Sequence, residues 1–405
     1  MEIIPYLRIH LPHDHILLPN LRFLYWRGTN RPSSFHYSSL LLGPALRDCS
    51  FETEVHGVIS TLHSMQRQCP DLQRLSVLTR TVDITPMVSP FIRLTYFNFF
   101  CNPSVPINEL TVKTLAPLEH LVEWVTNGSM EKDTMKNIVP SEIEVFFPSL
   151  KILSLHGEDL DAIARLLSST QSTALSKFTY TYHGRFDPKG SVVRRLMDSV
   201  ARHTCLDDLF LSSKSGIGTS FANLEALTKL PIRKIRLFNI VANRELSNES
   251  IIWLTQSWPD LESFYCCNDD TPVAPQAVRR LPTPEVFCHF ATNCPRLIHV
   301  SLTIDVMHNP MRSEGELEPL PSSPNPLYFH PHAMMLSRRG DLYRMVGYIT
   351  DIYPKLSLRL SDDVGYSDPD TVEILDEVNS LIPALVQHRA GGQQKCGFAR
   401  NSTDW

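Results

Sequence analysis

One phrase recurs along this chain and constrains its fold more than any other feature. It runs as a Pro, one or two residues, an apolar residue, two others, an apolar, one other and a last apolar. The clearest copies are Cys69-Pro70-Asp71-Leu72-Gln73-Arg74-Leu75-Ser76-Val77 and Phe147-Pro148-Ser149-Leu150-Lys151-Ile152-Leu153-Ser154-Leu155. Further copies carry Leu21/Leu24/Trp26, Leu46/Cys49/Phe51, Leu175/Phe178/Tyr180, Leu206/Leu209/Leu211, Ile232/Ile235/Leu237, Leu261/Phe264/Cys266 and Leu297/Val300/Leu302. The anchors 21, 46 and 72 lie 25 and 26 residues apart, and 150, 175, 206, 232 and 261 are separated by 25, 31, 26 and 29. The last two apolar residues of each copy sit two apart, so on an extended backbone they share one face.

Between the copies the period becomes helical. Val55, Val58, Ile59, Leu62 and Met65 form an amphipathic stripe, as do Leu160, Ile163, Ala164 and Leu167. Ser247 is placed to cap a helix that runs to Trp258. The segments 188–203, 221–230 and 285–293 continue the alternation, and 338–353 reads as a helix before a closing strand at Leu356, Leu358 and Leu360. The helices end near the Pro of the next phrase, because the residue before a Pro is pushed out of the helical region.

A chain of 405 residues exceeds the roughly 250–300 residues at which single cores stop growing. One strand–helix unit cannot bury its apolar side, whereas stacked copies can. The spacings lie at or just above the roughly 20–29 residues of a leucine-rich repeat. The expected fold class is therefore α/β: an irregular leucine-rich-repeat solenoid with a curved parallel sheet on its concave face and helices on its convex face. The alternative is two α/β domains with parallel sheets, although such strands usually read as long Val- and Ile-rich runs. The expected organisation is a solenoid over 1–360, with degenerate repeats in 80–147 around Phe91/Leu94/Tyr96 and Leu118/Leu121, and a Pro-rich loop over 305–336. A C-terminal helical cap over 361–388 and a disordered tail over 389–405 complete it.

Composition narrows the function classes. Hydrophobic content of 42 % with 20 % charged residues fits a folded chain, and a net charge of −5 leaves no electrostatic footprint for nucleic acid. No apolar run reaches a membrane-spanning length, and Pro5, Arg8, His10 and Pro12 interrupt any secretory h-region. The nine cysteines are then expected as thiols in the cytoplasm or nucleus. No phosphate loop, metalloprotease, nucleophile-elbow or kinase motif occurs in the sequence. His10, His13, Asp14 and His15 read as a solvated segment. Cys266 and Cys294 fall at apolar repeat positions rather than forming a zinc site with Cys267, Cys288 and His289. No catalytic residue, cofactor or metal ligand is therefore expected.

The phrases Cys-Pro-x-Leu, Phe-Pro-Ser-Leu-Lys-x-Leu-Ser-Leu and Trp-Pro-x-Leu-Glu-x-Phe, in this order and at these intervals, resemble the fungal F-box/leucine-rich-repeat family over about residues 16–360. The resemblance implies repeats that select a substrate for a cullin-based (SCF-type) ubiquitin ligase, with an F-box that binds the ligase adaptor. The first phrase begins by Pro19, so no F-box is expected ahead of it. The F-box-like string Leu281-Pro282-Thr283-Pro284-Glu285-Val286-Phe287 falls where a repeat helix is required. The asparagine that caps a repeat's strand turn is replaced by Arg80, Glu158 and Lys214, which implies an irregular array.

In such an array the residues alternating with the buried anchors face outward, where a protein partner would bind. Aromatic and Arg side chains among them are the types enriched at binding hot spots. Tyr25, Arg27, Phe210, Arg236, Phe238 and Tyr265 are the expected partner-binding residues. The expected function is a non-catalytic protein-binding module: substrate recognition in an SCF-type ligase or a relative without its F-box, or alternatively an interaction scaffold unconnected with ubiquitin.

Overall fold

The computed structural model describes residues 16–27, 38–52, 57–79, 83–101, 106–130, 134–135, 146–184, 190–214, 216–242, 246–267, 281–305, 320–331, 339–359 and 369–399. They divide into two compact units, residues 1–206 and 207–405.

In the first unit seven parallel strands lie side by side in chain order: β1 (Phe23–Arg27), β2 (Asp48–Glu52), β3 (Arg74–Leu78), β4 (Tyr96–Phe100), β5 (Glu123–Met130), β6 (Ile152–Gly157) and β7 (Lys177–Tyr182). The second unit repeats the plan with β8 (Asp208–Ser213), β9 (Lys234–Phe238), β10 (Ser263–Cys267), β11 (His299–Leu302), β12 (Leu327–His330) and β13 (Leu356–Leu358). Parallel neighbours in chain order, joined by helices or irregular turns, make the fold an α/β leucine-rich-repeat solenoid.

The recurring phrase has a direct structural cause. Its first anchor closes a turn: Leu72 N–H donates to Cys69 O at 3.2 Å, Leu261 N–H to Trp258 O at 3.1 Å and Leu297 N–H to Cys294 O at 3.0 Å. Pro70, Pro259 and Pro295 therefore occupy the second turn position, where a fixed φ suits the chain. The two residues after the first anchor set the register. Gln73 and Arg74 both donate to Arg47 O, Lys151 and Ile152 to Val122 O, and Glu262 and Ser263 to Arg233 O. Two donors on one carbonyl of the preceding repeat leave no freedom for a one-residue slip, which would turn every anchor outward. The next two anchors then point inward, as the buried pairs Leu75/Val77, Leu153/Leu155, Leu209/Leu211 and Ile235/Leu237.

The helices follow the periodicity: Gly57–Gln68, Leu160–Ser169, Gly190–Val200, Asn248–Ser257, Val286–Asn293 and Arg339–Ile352. Ser247 caps its helix by accepting from Ser250 N–H. Val286, Phe287 and Phe290 are buried, so the F-box-like string leads into a repeat helix. Residues 221–229 form a 3-10 helix instead of an α-helix. A short helix at Glu109–Leu115, capped by Asn108, has no counterpart in the sequence reading. No helix among the described residues is long and apolar enough to cross a membrane.

The structure differs from the sequence reading at several points. The segment 80–147 holds two strands whose inward residues include Phe97/Phe99 and Trp124/Thr126, and the second of them shifts register against β6 between Val125 and Ser129. Tyr96, read as an anchor, faces outward, one position off the inward set. Leu327–His330, inside the stretch read as a Pro-rich loop, is β12. Neighbouring strands supply the hydrogen bonds that its local sequence does not advertise. The helix Pro369–Ala399 extends past residue 388 into the expected tail, whereas residues 400–405 lie outside the described ones, as do His10, His13, Asp14 and His15. Asn239 supplies one strand-turn asparagine. With φ of 56° it donates from Nδ2 to Ser213 O at 3.0 Å, one position before the place the repeat pattern assigns.

Candidate functional site

On every strand the residues between the anchors face away from the helices, so the outward surface is a set of rows whose members are register partners. In the first unit the outward charges of β1 to β3 neutralise one another. Arg27 pairs with Glu52 at 3.1 Å, and Tyr25 Oη donates to the same carboxylate at 3.0 Å. That carboxylate raises the Tyr25 pKa. Arg74 pairs with Asp48 at 3.2 Å and lies 4.0 Å over the Tyr96 ring. Tyr25 and Arg27 are thus brought together on β1 through Glu52, with Tyr25 exposed.

In the second unit the outward rows form a continuous run of rings and cations. Arg236 on β9 pairs with Asp208 on β8 at 3.2 Å and sits 5.2 Å over the Phe210 ring. Phe238 lies 5.7 Å from Phe210 and 6.3 Å from Tyr265 on β10. Tyr265 meets His330 of β12 at 5.4 Å, with Oη and Nε2 3.3 Å apart. His299 on β11 stacks on Tyr328 at 5.1 Å and lies 6.1 Å from His330. Arg359 closes the run 3.8 Å over Tyr328. The pKa of His299 is lowered by burial first and then by Arg359 and Lys234. Its Nδ1 is buried without a hydrogen-bond partner, as is Arg236 Nε.

Four expected partner-binding residues, Phe210, Arg236, Phe238 and Tyr265, therefore form one half-buried surface of the second unit, and Tyr25 and Arg27 form a separate pair in the first. Ser301, which alternates with the anchors Val300 and Leu302, is buried and donates to His330 O at 3.1 Å. Tyr328, His330 and Arg359 were not expected there. The signal for Tyr328 was the short phrase Leu327-x-Phe329 behind Pro326, hidden among neighbouring prolines.

The chemistry of the buried thiols is that of core packing. Cys266 is fully buried, which raises its pKa strongly, and burial pushes Cys294 to about 12. A thiol so desolvated is a poor nucleophile and a poor ligand. Among the described residues no group of three or more His, Cys, Asp or Glu is placed to hold a metal ion.

No protein-family model matches this chain, and no curated protein matches it. Among solved structures it is similar to the yeast Rad7 and Elc1 complex, at 13 % identity over 81 % of this chain and 79 % of that chain, with a TM-score of 0.47. It is also similar to the leucine-rich-repeat protein LIC12759 of Leptospira interrogans, at 12 % identity over 86 % of this chain and 83 % of that one, with a TM-score of 0.31. A third is an internalin (inlF) of Listeria monocytogenes, at 12 % identity over 65 % of this chain and 87 % of that one, with a TM-score of 0.30.

Proposed function

We propose that this chain is a non-catalytic protein-binding module that takes its partner on the outward strand face, with Phe210, Arg236, Phe238 and Tyr265 as the principal contacts and Tyr25 and Arg27 as a second contact point. One observation carries this reading: the continuous run of rings and guanidinium groups from β8 to Arg359, laid over rigid strands and outside the core. Rings and arginines held in place lose little freedom on binding and bury much area.

A photo-crosslinking residue at Phe238, compared with one at the exposed Glu225 on the other side of the second unit, tests this. The partner is expected to crosslink from position 238 and not from 225. Crosslinking from 225 alone would refute the strand-face assignment.

The resemblance of the repeat phrases to F-box/leucine-rich-repeat proteins extends the proposal to substrate recognition for a ubiquitin ligase. Co-purification of the full-length protein with the ligase adaptor is the expected result. Capture of a partner with no adaptor under any condition would favour a scaffold unconnected with ubiquitin.

A further inference from the structure

Charge decides what chemistry this face accepts. The charged residues at outward positions of β8 to β13, together with the residue that follows β13, are Asp208, Lys234, Arg236 and Arg359. Asp208 and Arg236 neutralise each other at 3.2 Å. Lys234 and Arg359 are both exposed, and neither makes an ion pair among the described residues. His299 lies between them on β11, and both cations act on it together with burial to hold its pKa down. It stays neutral near pH 7 and adds nothing to the charge. The face is thus a strip of rings with one unanswered cation toward each end, whereas the arginines of β1 and β3 are each answered by a carboxylate.

We propose that the outward face of β9 to β13 captures an acidic protein segment, whose Asp or Glu carboxylates reach Lys234 and Arg359 while its apolar side chains lie on Phe238, Tyr265 and Tyr328. The proposal rests on the strand-face reading above. Four strand spacings of about 4.8 Å separate β9 from β13, roughly 19 Å in all, and an extended chain covers that distance in about six residues. The segment therefore carries acidic positions about six residues apart with apolar residues between them. Each end offers a single cation, which suits one carboxylate, whereas a phosphate dianion is typically held by clustered arginines.

The test is selection of a displayed library of random twelve-residue peptides on the full-length protein, followed by titration of labelled synthetic peptides. Selected peptides are expected to be enriched in Asp and Glu at this spacing. Affinity should fall at least about tenfold when their Glu residues become Gln, and equally when the protein carries Lys234→Gln with Arg359→Gln, which removes no ion pair; loss of the Arg359–Tyr328 contact should lower the melting temperature by no more than about 4 °C. Raised salt should weaken binding. Peptides without acidic enrichment that still lose binding on Phe238→Ala would overturn the acidic partner and leave the strand face standing. Peptides indifferent to Phe238→Ala and to both charge changes would overturn both. Binding that appears only when phosphoserine replaces Glu would overturn the carboxylate assignment, and a library without any acidic binder would do the same.

Discussion

Leu237 and Phe238 are adjacent on β9, and the pleat sends them to opposite faces: Leu237 is 1 % exposed, whereas Phe238 is half-buried against two rings. Leu237→Ala removes a side chain packed on all sides and leaves a cavity, at a cost of about 2–5 kcal/mol. Phe238→Ala loses contacts with Phe210 and Tyr265, each worth about 0.5–1.5 kcal/mol, and opens onto solvent, so no closed cavity remains. For a unit of this size each kcal/mol shifts Tm by roughly 2–4 °C. Leu237→Ala should therefore lower it by about 4–20 °C and Phe238→Ala by no more than about 12 °C. Binding should move the other way. Loss of a central ring from an interface costs about 2 kcal/mol or more, around thirtyfold in Kd, whereas the folded fraction of the Leu237 variant should bind within about twofold of the parent. Differential scanning calorimetry and titration of the crosslinked partner or a selected peptide give both numbers. Equal loss of affinity in the two variants at a temperature where both are folded would refute the division of β9 into a structural and a binding face.

Asn239→Gly keeps the positive φ but removes the buried bond to Ser213 O; it should cost about 1–3 kcal/mol, and Asn239→Ala more because it adds left-handed strain, as urea melts will show. Ser247→Ala removes a helix cap and should cost about 1 kcal/mol, read as a drop of a few degrees in Tm. His203 is buried, with its ring nitrogens 3.2 and 3.3 Å from Leu167 O and Ser172 O, and burial lowers its pKa below the usual 6.5. The unfolded chain then binds the proton first, so this contribution to stability is complete above about pH 6.5 and is lost as pH falls through the folded value. The urea midpoint should decline from pH 7.5 to 5.5, and His203→Asn should flatten that decline; an unchanged slope would refute the assignment.

Repeat anchors were readable wherever a Pro-initiated turn preceded them, because the turn, the register and the inward pair are all written within nine residues. Leu72/Leu75/Val77 and Leu261/Phe264/Cys266 are of this kind. Tyr96 was misplaced because the residues around it are nearly all apolar or aromatic, so period alone does not choose between faces; the Thr95 and Tyr96 bonds to Gln73 O choose. The strand Leu327–His330 was lost among prolines for a related reason: four residues carry too little periodicity, and pairing with β11 and β13 supplies the rest.

The candidate surface divides in the same way. Alternation along single strands placed Phe210, Arg236, Phe238 and Tyr265 outward, since side-chain direction is a local property of extended backbone. Their assembly with His299, Tyr328, His330 and Arg359 depends on register between strands up to 65 residues apart, which no local pattern encodes. The sequence by itself determined the repeating unit, its Pro-led turns and which residues the strands behind those turns bury. Tertiary structure alone decided which outward side chains meet and which charges cancel, and it left Lys234 and Arg359 without an ion pair among the described residues, because ion pairing and ring stacking depend on distances across strands that only the packed backbone sets.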